Sequence, residues 1–185
     1  LLFVTVAYFI NPLALKLSIP ILAVLGAYTF FKRFSSLAHL ILGVSLGLAP
    51  IAGVVAVSAE ITLWSVYLAA GVMFWVAGFD LLYSLQDMDF DKANGLHSIP
   101  SKFGAQKTMW IARVFHLLAA VLWACFVYTA GLGFWAQSAV LFSAAMLGYE
   151  HYLVNKDFTK IDKAFFTVNG YLGFVFLILI IMEVS

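Results

Sequence analysis

Between residues 78 and 104 the chain reads GFDLLYSLQDMDFDKANGLHSIPSKFG, a stretch that holds four of its nine acidic residues. If a helix continues through it at about 100° per residue, Asp80, Tyr83 or Ser84, Asp87 and Asp91 stand in one stripe, and Asp89 points away. Like carboxylates stacked on one face repel each other unless cations occupy the stripe. Hard oxygen donors suit Mg²⁺, which is usually held by one or two carboxylates together with the phosphates of a substrate. A Mg²⁺ and diphosphate site follows from the spacing. The competing reading, a helix end fraying into a solvated charged loop, is weakened by Asp80, which sits at the end of a long apolar run where an ionisable group is a functional hypothesis by default. Gly95 and Pro100 are expected to close the helix and form a turn that carries His97 and Ser98.

Lys32 and Arg33 form a second feature. They follow Tyr28 and the apolar run ending at Phe31, and read either as an interfacial anchor pair or as a point charge beside a guanidinium fork, suited to diphosphate or a carboxylate. His39, His116, Glu150, His151 and Asn169 are isolated polar groups in apolar runs. Glu150 and His151 read as solvated capping groups at a helix end, and Asn169 as a buried amide that bonds either a neighbouring helix or a substrate. Phe74, Trp75, Trp110, Trp123 and Trp135 read mainly as lipid-facing or interfacial aromatics.

The elements that must position these residues are membrane helices. Of 185 residues, 64% are hydrophobic, 17% aromatic and 10% charged, against roughly 45–50% apolar and about 25% charged in soluble domains. A net charge of +1 offers no basic field for nucleic acid, and the lone Cys125 builds neither a disulfide framework nor a thiolate metal site. About 20 apolar residues cross a bilayer as a helix, and seven segments qualify or nearly do. They run 1–10, 13–31, 37–58, 61–84, 108–130, 134–154 and 164–182, the first too short to cross alone. Alternating the loops between two faces puts Lys16 on one side and the other basic residues on the second, which the positive-inside rule makes cytoplasmic. The long connections, 85–107 and 155–163, lie on that cytoplasmic face, where chemistry is expected.

The run Asp80-x-x-Tyr83-x-x-x-Asp87-x-x-x-Asp91, followed by Gly95-Leu96-His97-Ser98-Ile99-Pro100-Ser101-Lys102-Phe103-Gly104, resembles the UbiA superfamily of intramembrane aromatic prenyltransferases. The segment from Tyr28 through Lys32, Arg33 and His39 to Leu42-Gly43 follows the pattern of its 4-hydroxybenzoate polyprenyltransferases, with Thr29 where that family usually has Pro. The resemblance implies an all-α, multi-helix transmembrane bundle, with seven of an expected nine helices and the first of them truncated. Residues 1–185 would be a single membrane domain, the C-terminal portion of a prenyltransferase. The family's first aspartate-rich motif is not found in these residues, so the chain is expected to be a fragment that is inactive alone. Further implications are Mg²⁺ held by Asp87 and Asp91, diphosphate contacted by Lys32, and the carboxylate of a small aromatic acid met by Arg33. Asp80 would orient the acceptor or take its ring proton, Tyr83 would donate to diphosphate, and Asn169 is carried as a further substrate contact. The partners are a polyprenyl diphosphate, the aromatic acid and the lipid bilayer of a bacterial inner membrane. Naphthoate, homogentisate, haem or chlorophyll precursors are alternative acceptors. A cation-coupled transporter is the alternative outside the enzyme class, disfavoured because the acids gather at one mouth rather than at the bilayer midplane. A noncatalytic structural fragment is the third.

Overall fold

The structure, a computed structural model, describes residues 1–31, 33–157 and 160–185. Among the described residues all regular structure is helical: α1 (Leu2–Ile10), α2 (Pro12–Phe31), α3 (Ala38–Ser58), α4 (Leu63–Tyr83), α5 (Met88–Ala93), α6 (Ile99–Thr129), α7 (Phe134–Lys156) and α8 (Asn169–Val184), the last preceded by a π-helical turn, Lys163–Val168. Four spans, Ala38–Ser58, Leu63–Tyr83, Ile99–Thr129 and Lys163–Val184, are long and apolar enough to cross a membrane. In lipid a helix satisfies its own backbone groups, which is why the apolar runs fold this way. The protein is an all-helical transmembrane bundle.

Each of the seven expected segments corresponds to a helix. Local chemistry sets their ends. Asn11 opens α2 by accepting from the Ala14 amide at 2.8 Å, with Pro12 in the first helical position. Its amide also donates to the Val55 carbonyl at 2.7 Å, which ties the start of α2 to the far end of α3. Thr62 caps α4 through Ser65. The expectation that Pro100 closes a helix is corrected: Pro100 sits in the first turn of α6, where its missing N–H costs nothing, and Ser98 and Ser101 on either side of it form a reciprocal capping box. The expected loop 85–107 thus contains α5 and the opening of α6, which kinks at Gly104 (φ 78°).

α4 is the hub, packed on α3 along one side and on α6 along the other. The chain runs α1 to α2 to α3 outward from it, and α6 to α7 to α8 on the opposite side, with the π-helical turn returning to α4. Small residues let α3 approach. A Cβ on Gly43 would collide with the Met73 carbonyl, and one on Gly47 would come within 2.8 Å of the Ala69 carbonyl, so two glycines one turn apart permit contact at backbone distance. Leu81 and Leu82 of α4 pack with Ala112 of α6, Val154 of α7 and Ala164 of the π-helical turn in a buried cluster below the end of α4. Trp123 is also buried, 2% exposed, whereas Trp110 and Trp135 are exposed as interfacial or lipid-facing rings. The expectation for Trp123 is corrected by Gly71, which leaves room for its indole against α4.

At the far end α7 begins at Gly133 with no side-chain cap of its own. The Glu183 carboxylate, from the end of α8, accepts from the amides of Gly133 (2.6 Å), Trp135 (2.8 Å) and Ala136 (3.2 Å). Three amides that have no partner inside the helix are satisfied by an anion placed at the positive end of the dipole. Glu183→Ala is expected to lower the melting temperature in detergent, with Glu183→Gln intermediate. An unchanged melting temperature in the alanine variant contradicts the cap.

Candidate active site

α4 does not run on into the acidic stretch as one helix. After Tyr83 the amides of Leu85, Gln86 and Asp87 bond carbonyls three residues back, at 3.3, 3.2 and 3.1 Å, and α5 starts afresh with Asp87 at its N-cap. The expected single stripe is corrected by this 3₁₀-like turn, which advances about 120° per residue instead of about 100°. α5 then stops at once. Gly95, at φ 64°, takes the left-handed position, while the Leu96 amide bonds the Asp91 carbonyl (2.9 Å) and the Gly95 amide that of Lys92 (3.4 Å). This is a Schellman ending, and only a residue at ease with positive φ completes it.

These turns leave Asp80 and Asp87 facing one cavity of about 440 Å³, lined also by Tyr28 of α2, His39 of α3, Tyr83 of α4 and Ser84 that caps it. Asp80, Tyr83 and Asp87 are therefore brought together as expected. Tyr83 packs against Phe165 of the π-helical turn, with ring centroids 4.3 Å apart, and Phe165 meets Phe79 edge-on at 5.2 Å. The wider π turn thus places an aromatic floor under Tyr83. Asp91 follows one turn after Asp87, its amide bonding the Asp87 carbonyl at 2.8 Å. It is fully buried in the wall of a second cavity, of about 570 Å³, with Ser35, Ser36, His97, Ser101 and Lys102. Ser35 and Ser36 of the α2–α3 connection line the second cavity with Asp91, whereas Tyr28 of α2 and His39 of α3 line the first with Asp80 and Asp87.

Other site expectations fare differently. Lys32 lies outside the described residues. Arg33 is exposed, with its guanidinium 5.8 Å from the Phe30 ring centroid, and it lines neither cavity. Its place over an exposed aromatic is that of an interfacial anchor. Asn169 is buried and away from both cavities. Its Oδ1 accepts from the Trp75 indole at 2.7 Å, and its amide donates to Glu150 Oε1 (3.1 Å) and to the Ala164 carbonyl (3.3 Å). Those bonds tie Asn169 to α4, α7 and the π-helical turn, and it lines neither cavity. Glu150 is 1% exposed, which corrects the expectation of a solvated cap: α7 carries it inward toward Asn169. His116 Nδ1 lies 3.9 Å from Glu150 Oε2, and the His116 ring packs where Gly78 of α4 lacks a side chain.

The residue that sequence reasoning undervalued is His39. Its Nδ1 lies 2.7 Å from Asp80 Oδ2. The available signal was its spacing: His39, Gly43 and Gly47 recur every four residues, so the histidine continues the small-residue face that meets α4.

Comparison with known proteins fits this geometry. The model of the UbiA prenyltransferase family matches residues 1–179. The chain belongs to the UbiA prenyltransferase family. Curated UbiA relatives include the 4-hydroxybenzoate octaprenyltransferases of Salmonella newport and Salmonella enteritidis PT4, each 31% identical over 169 residues, covering 90% of this chain and 57% of theirs. The chain thus spans little more than half the length of those UbiA proteins. A solved structure, the apo form of a UbiA homolog from Aeropyrum pernix K1, superposes with a TM-score of 0.88 at 31% identity, covering 99% of this chain and 68% of that one. Within this UbiA bundle Asn169→Leu is expected to lower stability by about 1 kcal/mol, the scale of an interhelical hydrogen bond in a membrane, while KM for substrate stays unchanged. A raised KM at unchanged stability contradicts the packing role.

Proposed function

We propose that the protein to which this chain belongs transfers a polyprenyl group from polyprenyl diphosphate to an aromatic acceptor, of which 4-hydroxybenzoate is the first candidate, as a step in quinone biosynthesis. The observation that carries this reading is the convergence of Asp80, Asp87, Tyr28 and Tyr83 on one cavity at the end of α4, in a chain of UbiA ancestry. A bilayer site suits the chemistry: one substrate has a long apolar tail that stays in lipid, and the other is a small soluble anion. The alternation of loops along the sequence, which assigns all basic residues but Lys16 to one face, favours a cytoplasmic mouth in a bacterial inner membrane.

The donor set fits Mg²⁺. Among the described residues no group of three or more His, Cys, Asp or Glu side chains forms a metal cage, and Mg²⁺ needs none, because one or two carboxylates and substrate phosphates suffice. Asp87, facing the cavity, would be the ion's first carboxylate, and Asp91, one turn on but buried in the wall of the other cavity, the second. When bound, it would neutralise charge developing on the diphosphate. The side chains supply the rest. Tyr83, braced by Phe165, donates a hydrogen bond to diphosphate oxygen as the allylic C–O bond breaks and the electron pair leaves with diphosphate. The phenol ring attacks the allylic carbon ortho to its hydroxyl, and Asp80 orients the acceptor and takes the ring proton, whose C–H pair returns to the ring.

Asp87→Ala, in the intact membrane protein given a labelled polyprenyl diphosphate, 4-hydroxybenzoate and Mg²⁺, is expected to lower prenylated product by orders of magnitude while membrane assembly survives. EDTA should abolish the wild-type reaction and added Mg²⁺ restore it. Turnover near wild type in the Asp87 variant contradicts the assignment. Side-by-side assay with a naphthoate and homogentisate tests the choice of acceptor.

A further inference from the structure

Asp80 is not presented to the cavity alone. His39 projects from the first turn of α3, with its Nδ1 2.7 Å from Asp80 Oδ2. The ring is buried, 4% exposed, whereas the Asp80 side chain retains 22% exposure toward the cavity. The other ring nitrogen, Nε2, is buried and has no hydrogen-bond partner among the described residues. A hydrogen on Nε2 would be a buried donor with no acceptor, which costs more than a bare lone pair there, whereas a hydrogen on Nδ1 has Asp80 to accept it. The neutral tautomer with hydrogen on Nδ1 meets both constraints, and it makes His39 a donor to Asp80.

We infer that His39 is a positioning residue for this site: a neutral imidazole whose Nδ1–H holds one carboxylate oxygen of Asp80, fixing the rotamer in which Asp80 meets the aromatic acceptor. The inference rests on the prenyl-transfer reading and adds a residue and a tautomer to it. The bond is held by backbone packing. His39 stands one turn before Gly43, where α3 touches the α4 backbone at Met73, and Asp80 stands on α4 just beyond Ala77, whose Cβ a side chain on Gly43 would crowd at 3.1 Å. Neither helix has room to slide there, so the donor reaches the carboxylate before substrate arrives. A group oriented in this way by an outer partner loses rate, rather than substrate affinity, when that partner is removed.

Four variants of the intact membrane protein test this, assayed with polyprenyl diphosphate and 4-hydroxybenzoate. His39→Leu and His39→Met remove the donor; they are expected to lower kcat about 10–100-fold with KM for polyprenyl diphosphate unchanged. His39→Asn and His39→Gln keep an amide N–H within reach of Asp80, and restore most of the rate. Selective ¹⁵N labelling of the histidines reads the tautomer directly: the His39 resonance, assigned by its loss in His39→Asn, should show a protonated Nδ1 and a bare Nε2. Wild-type turnover in a folded donorless variant, equal loss in the amide and donorless variants, or a protonated Nε2 overturns the inference. A wild-type protein that binds no polyprenyl diphosphate and prenylates no acceptor overturns the underlying reading instead.

Discussion

The backbone contact between α3 and α4 is the constraint from which the site is built. Two membrane helices have no hydrophobic drive to associate in lipid, so their association depends on how closely the backbones approach. Gly43 and Gly47 bring α3 onto the carbonyls of Met73 and Ala69. That contact fixes the register of the pair, and the register sets His39 opposite Asp80. A one-residue slip would rotate each by about 100° and separate them.

The opposite side of α4 is fixed by polar bonds. Trp75, Asn169 and Glu150 link α4, α8 and α7, and the π-helical turn sets Phe165 against Tyr83. Buried polar groups in a membrane are acceptable when they bond each other. Here they join α7 and α8 to α4, the helix that carries Asp80 and Tyr83 to the cavity. The acids divide between two cavities, Asp80 and Asp87 in one and Asp91, one helical turn past Asp87, in the other.

Most of the bundle was legible because the signal for a membrane helix is long and redundant. The seven apolar segments correspond to seven helices, and the acidic run marked the end of α4 as the place for chemistry. The details that failed depend on short-range geometry or on partners distant in sequence. Three hydrogen bonds shifted from i−4 to i−3 broke the predicted stripe, and nothing in Ser84 to Asp87 announces them. Pro100 was read as a stop, though the serine two residues before it makes it a start. Glu150 looked like a solvated cap because its burial depends on Asn169, nineteen residues later, and on Gly78, far earlier. Arg33, expected to meet the acceptor's carboxylate, lies over the Phe30 ring and lines neither cavity.

The central claim is that the cavity between α3 and α4 receives the diphosphate of a prenyl substrate. Its most direct test is a structure of the intact protein with Mg²⁺ and an unreactive polyprenyl thiodiphosphate. The account predicts the diphosphate within the cavity lined by Tyr28, His39, Asp80 and Asp87, with a phosphate oxygen and the Asp87 carboxylate on the same metal ion. A thiodiphosphate seated elsewhere, with that cavity closed to it, contradicts the account.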